Sequence, residues 1–170
     1  SDFFRTTLSK GHDYITVKEE RTHIESYLEI QQFRYQDILD YEIQMDEEIY
    51  GYIIPKLTLQ PLVENALYHG IKNKRGKGKI LITGKKQGDK IIFQVIDNGK
   101  GMTEEELNSL RKKMAGTDTG DEAKGFGVSN VNQRIKYYYG EEYGVFFESK
   151  ENEGTNATII IAAKNIQLLF

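Results

Sequence analysis

The segment IIFQVIDNGKGM, residues 91–102, constrains the fold of this chain more than any other stretch. Its apolar run IIFQVI reads as a strand buried on at least one face, and that strand delivers Asp97 to its end. Gly99 and Gly101 follow, and a glycine lets the backbone turn sharply and approach a neighbour or a ligand closely. Asp-Asn-Gly is also ordinary turn chemistry. A plain strand-to-helix turn and a buried carboxylate that reads an amino group, such as that of adenine, therefore both fit these residues. The turn leads to Thr103, which with Glu106 gives the signature of a capping box and predicts a helix over 104–114.

The chain on either side supplies layers for such a strand. Thr16 and Glu19 make another capping box, opening a helix at about Val17. Ile24, Tyr27, Leu28 and Tyr35 then mark one stripe at helical spacing. YEIQMD at 41–46 alternates and predicts a strand. Pro55 is suited to open a second helix over 56–70, ended by Gly70, and a basic, glycine-rich turn (KNKRGKGK) covers 72–79. Strands near 79–86 and 90–97 are joined by Gln87-Gly88-Asp89, a hairpin signal. AGTDTGDEAKGFG at 115–127 has few apolar side chains and reads as a long mobile loop. A helix over 128–139 ends at Gly140, and strands near 143–149 and 156–163 flank a polar turn with Gly154. The pattern predicts an α+β fold, a two-layer sandwich with a mixed, mostly antiparallel sheet and helices on one face.

At 170 residues the chain has the size of one domain with a short appendage. Its 38% hydrophobic and 29% charged residues are ordinary for a globular protein. With no cysteine it can build neither a disulfide framework nor a Cys-type zinc site. A net charge of -3 argues against a dedicated nucleic-acid binder, which needs a basic face. No apolar run approaches the roughly 20 residues of a membrane span, so no membrane contact is expected of this chain.

Two further features carry chemistry. In LQPLVENALYHG (59–70), Asn65 and His69 share one helix face. An Asn oxygen suits Mg²⁺, which binds through few protein groups plus phosphate; an incidental polar helix edge fits as well. In KGFGVSNVNQRI (124–135), Gly125 and Gly127 precede a helix start, where free N–H groups attract phosphate, and the polar loop before them could close as a lid. A flexible loop explains the same glycines.

The order is a polar helix, a strand ending in Asp-x-Gly-x-Gly, a glycine-rich loop with a helix, and a strand opening with Gly154-Thr155. In that order the chain resembles the Bergerat-fold (GHKL) ATPases and kinases: the gyrase, Hsp90, histidine kinase and MutL types. VKEERTHIESYLEIQQFRY (17–35) and IPKLTLQPLVENALYHGI (54–71) are similar, more narrowly, to the LytS/YesM-type bacterial sensor histidine kinases. The resemblance runs from about Val17 to Ala163. It implies ATP and Mg²⁺ as cofactors, with Asn65 holding the Mg²⁺ and His69 near the nucleotide on the same face. Asp97 would bond the adenine amino group, supported by Thr155 through a water, and Gly99 and Gly101 would make room for the base. Gly125 and Gly127 would let the lid wrap the phosphates, with Lys124 and Arg134 as phosphate contacts.

The resemblance also implies partners and boundaries. Residues 1–16 would be a remnant of the dimerisation and phosphoacceptor region or a linker, and 17–170 the ATP-binding catalytic domain. The parent protein would be a homodimer anchored in the bacterial plasma membrane, with this domain in the cytoplasm and a response-regulator receiver domain as partner. The subfamily's acceptor segment, resembling Q-x-x-P-H-F-L-x-N, has no match here. His12 and His23 read as surface residues and His69 belongs to the nucleotide helix, so the acceptor histidine is expected upstream and no catalytic residue in this chain.

Two other departures matter. Pro61 stands where the ATP-hydrolysing members carry the Glu that activates water, and Glu64 points about 100° away from Asn65 on a helix. This favours a kinase over an ATPase of the same fold. Tyr68 stands where these kinases often carry Lys, so a phosphate partner is missing or supplied by Lys72, Lys74 or Lys124. A degenerate nucleotide-binding or interaction module is the alternative that this substitution raises.

Overall fold

The computed structural model describes residues 14–72, 74, 76–116 and 126–165. Along the chain run β1 (Tyr14–Thr16), α1 (Val17–Arg34), β2 (Leu39–Met45) and β3 (Ile53–Pro55). Next come α2 (Gln60–Asn65), which continues as a π-helical turn (Ala66–Ile71), then β4 (Gly78–Gln87) and β5 (Lys90–Asp97). The rest is α3 (Glu104–Met114), α4 (Phe126–Tyr139), β6 (Gly144–Lys150) and β7 (Gly154–Ala162).

Both capping boxes form. The Thr16 hydroxyl accepts from Glu19 N–H at 3.1 Å while Glu19 Oε1 accepts from Thr16 N–H at 3.2 Å. Thr103 and Glu106 repeat this with both bonds at 3.1 Å. Each box satisfies two backbone donors that a helix start would leave open, so α1 and α3 begin where the sequence predicts.

The second helix does not start where expected. Pro55 ends β3, paired with Tyr14 of β1, and the helix opens at Gln60 with Pro61 in its first turn. Proline suits both places because neither needs its missing N–H; the local pattern could not choose between Pro55 and Pro61. Gly70 lies within the π-helical turn rather than ending an α-helix. The short β1–β3 ribbon, invisible to periodicity because each strand has three residues, fastens the start of α1 beside the approach to α2.

The main sheet has the order β2-β4-β5-β7-β6. β2 is parallel to β4, and the other three pairs are antiparallel, as the mixed sheet predicted. Alternation decides its faces. Ile80, Ile82, Ile91, Phe93, Val95, Ile159 and Ile161 are buried on one side, whereas Leu81, Ile92, Ile96 and Ile160 on the other are half-buried. Ile24 and Leu28 of α1, Leu62 and Val63 of α2, Leu107 of α3, and Val131 and Ile135 of α4 join the inner residues in one core. The helices thus cover a single face, each buried aliphatic side chain contributing about 1.5–3 kcal/mol.

Candidate functional site

Asp97 is the last residue of β5 and stays on the buried side of the alternation, 6% exposed. The strand's position in mid-sheet puts Thr155, the second residue of β7, directly opposite it. Gly99 N–H donates to Asp97 Oδ1 at 2.9 Å. Burial pushes the Asp97 carboxyl up to about 6, while the Gly99 and Thr155 amides and the Lys74 charge pull the other way. A carboxylate so placed stays ionised at neutral pH and keeps acceptor capacity for a further donor.

The π-helical turn brings the other wall. Lys72 N–H reaches Leu67 O at 2.9 Å, the wider winding that often marks functional sites. It sets Gly70 so close to Asp97 that a Cβ there would lie 2.6 Å from Oδ1. A Cβ on Gly99 would in turn lie 2.3–2.5 Å from the backbone of Gly70. Gly101, at φ +67°, would meet Lys150 O at 2.0 Å. These glycines serve the close approach of three backbone segments, and only Gly101 of the expected pair lines the pocket.

That pocket, about 410 Å³, is lined by Asn65, His69, Gly70, Asp97, Gly101 and Thr155, together with Lys100, Met102 and one side of α3. The structure therefore brings together Asn65, His69, Asp97, Gly101 and Thr155, with Gly99 packed beneath them. Sequence reasoning missed Gly70, Lys100, Met102 and the α3 side chains Glu105, Glu106, Ser109, Leu110 and Lys113. A hint existed for α3, whose helix follows the Gly-x-Gly turn directly, but its inward side is set by packing.

Other expected residues lie elsewhere. Gly127 falls in the first turn of α4 rather than ahead of it, where an added Cβ would come 3.6 Å from Pro61 Cβ. Lys124 and Gly125 lie outside the described residues. Arg134 is not in the pocket lining: its Nη2 donates to Leu57 O at 2.9 Å. Of the cations offered in place of Tyr68, Lys72 stacks between the Tyr35 and Tyr68 rings, 4.5 and 4.3 Å from their centroids, and Lys74 donates to Asn98 O at 2.8 Å. Positive charge in the pocket comes instead from Lys100 and Lys113. Glu64 accepts from Gln60 at 3.2 Å and is likewise absent from the lining.

For a divalent ion, the described residues contain no group of three or more His, Cys, Asp or Glu that could hold one. The Asn65 side-chain oxygen in the pocket lining is of the hard type that suits an ion bound mainly by waters and phosphate oxygens.

The chain has relatives among known proteins. Residues 55–165 match the family described as histidine kinase-, DNA gyrase B-, and HSP90-like ATPase, and residues 1–39 match a family described as histidine kinase. The chain is 34% identical to the sensor histidine kinase YesM of Bacillus subtilis over 95% of its own length and 26% of that protein. It is 30% identical to the sensor protein LytS of Staphylococcus saprophyticus over 98% of itself and 28% of that protein. The chain thus spans about a quarter of the length of these relatives. In three dimensions it resembles a nucleotide-free catalytic domain of the histidine kinase ThkA, with TM-score 0.66 and 20% identity over 89% of this chain and 97% of that one. Among the described residues no helix is long and apolar enough to cross a membrane.

Proposed function

The chain belongs to the family of histidine kinase-, DNA gyrase B- and HSP90-like ATPases, and from that premise we propose that it is the ATP-binding catalytic domain of a sensor histidine kinase. The observation that carries the reading is Asp97: a buried carboxylate at a strand end, held by two amides, in one pocket with Asn65.

In this reading Asp97 accepts from the adenine amino group and Thr155 supports the same edge of the base. Asn65 would hold Mg²⁺, whose charge neutralises the phosphates when bound. His69, Lys100 and Lys113 line the pocket and supply polar and cationic contacts to the nucleotide. Lys124, Gly125 and Gly127 remain candidates for the phosphate lid, while Arg134 is bonded to the Leu57 carbonyl outside the pocket lining. An imidazole nitrogen from upstream attacks the γ-phosphorus; the bond from that phosphorus to the β,γ-bridging oxygen breaks, ADP leaves, and the imidazole gives up its N–H proton. The chain's own work is positioning and charge neutralisation. Pro61 in the first turn of α2 offers no base for water, which supports transfer to histidine over hydrolysis.

The catalytic unit would begin at the β1 strand, whose pairing with β3 supports including it, a little ahead of the boundary expected at Val17. The segment before it would come from the dimerisation and acceptor region of a membrane-anchored homodimer. A response-regulator receiver domain would take the phosphoryl group in the cytoplasm.

Calorimetry with ATP and Mg²⁺ tests the proposal. Unmutated chain should bind ATP, and Asp97→Asn should weaken binding by at least roughly 100-fold while circular dichroism stays unchanged, because an amide presents a donor where an acceptor is needed. Equal affinity of the two proteins would refute the assignment, and steady phosphate release without an acceptor would point to an ATPase.

A further inference from the structure

Ser149 lies on β6, opposite Thr155 of β7, and is absent from the pocket lining. Its Oγ has three neighbours: Met102 N at 2.9 Å, Gly154 O at 2.9 Å and Thr155 Oγ1 at 2.8 Å. A hydroxyl owns one hydrogen and two lone pairs. The Gly154 carbonyl can only accept, so the Ser149 hydrogen goes there. The Met102 amide can only donate, so it takes one lone pair. What remains toward Thr155 is a lone pair, and a 2.8 Å contact then requires the Thr155 O–H to donate.

We infer that Ser149 is a specificity-determining positioning residue: it draws the Thr155 hydroxyl hydrogen away from the pocket, so that Thr155 faces the ligand with lone pairs only. This rests on the reading that the pocket takes a nucleotide base. Beside Thr155 stands the Asp97 carboxylate, an acceptor when ionised, and both line the pocket. The wall they form accepts hydrogen bonds and donates none from its side chains. Adenine, whose amino group carries two N–H donors, satisfies such a wall directly or through a bridging water. Hypoxanthine carries a carbonyl at the same place, which sets acceptor against acceptor and leaves buried groups unpaired. Without Ser149 the Thr155 hydroxyl can rotate its hydrogen inward and meet that carbonyl.

The experiment compares the affinities of this chain for ATP and inosine triphosphate by calorimetry, in unmutated protein, Ser149→Ala and Ser149→Thr. The ATP preference should fall roughly five- to tenfold in Ser149→Ala, the worth of one hydrogen bond, and persist in Ser149→Thr, which keeps the hydroxyl. Should the alanine variant not fold, Ser149→Cys preserves the shape with a weak donor and acceptor and should lower the preference in the same direction. Equal weakening of both nucleotides, or no change in either, would overturn the inference while leaving the ATP-site reading standing. Failure of unmutated chain to bind ATP would overturn both.

Discussion

At Asp97, burial and hydrogen bonding pull against each other. Burial raises the carboxyl to about 6, and the Gly99 and Thr155 amides together with Lys74 limit the rise. If the ionised form receives the adenine amino group, ATP affinity should be constant above about pH 7 and fall tenfold per unit below pH 6, as calorimetry across pH 5–8 would show. In Asp97→Asn the residual affinity should lose that inflection. The sign for folding is the reverse. A carboxyl raised above its usual value favours the folded chain at low pH, and that advantage is lost as pH rises from about 4 to 6. Asn65, His69, Asp97 and Thr155 were legible in the sequence because each sits at a fixed spacing within one element or at its end. The bond from Arg134 to Leu57 was not legible, because it crosses 77 positions of chain, a distance over which no local spacing speaks.

Helix α1 carries Glu20 fully buried against the loop between β3 and α2. Its Oε2 accepts from Thr58 N–H at 3.3 Å, and Oε1 lacks a hydrogen-bond partner. Burial pushes the carboxyl up to about 7, while the Thr58 and Leu57 amides and the Arg134 and Lys56 charges act against it. The folded form therefore holds the proton more tightly than the unfolded chain. Its stabilising effect is complete below about pH 4.5 and is lost as pH rises to 7, a change of about 3 kcal/mol. Glu20→Gln, permanently neutral, should remove that part of the pH dependence, so that urea denaturation shows the variant gaining on the parent between pH 5 and 8. Parallel profiles for the two proteins would contradict the assignment. The loop itself is strained at Leu57, whose φ of +60° costs roughly 1–2 kcal/mol. It is held by the Arg134 bond and by Thr58 Oγ1 donating to Pro55 O at 2.6 Å. Capped helices were readable to the residue. This loop was not, because its shape answers to a buried carboxyl and a guanidinium from other elements.

At the scale of the whole molecule, inner residues from all five strands of the main sheet and the inward stripes of the helices form one core among the described residues, and Phe93 is fully buried in it. Phe93→Ala should cost about 3–5 kcal/mol, measured as a loss of unfolding free energy, because removing a fully buried ring leaves a cavity in the core. Layering, mixed pairing and one-sided helices were legible because alternation and helical periodicity report burial directly. Strand order was not, since β5 finds β7 across the whole of α3 and α4. One edge of that sheet has its own provision. Arg111 Nη2 donates to Phe147 O at 2.8 Å, and Asn132 Oδ1 accepts from Val145 N–H at 2.9 Å. Those two side chains occupy backbone groups of β6 that would otherwise be free to template a strand from another molecule. Helix α3, which lines the pocket on one side, thereby joins α4 in guarding that edge against self-association, so a substitution at Arg111 or Asn132 would be felt first as a loss of solubility.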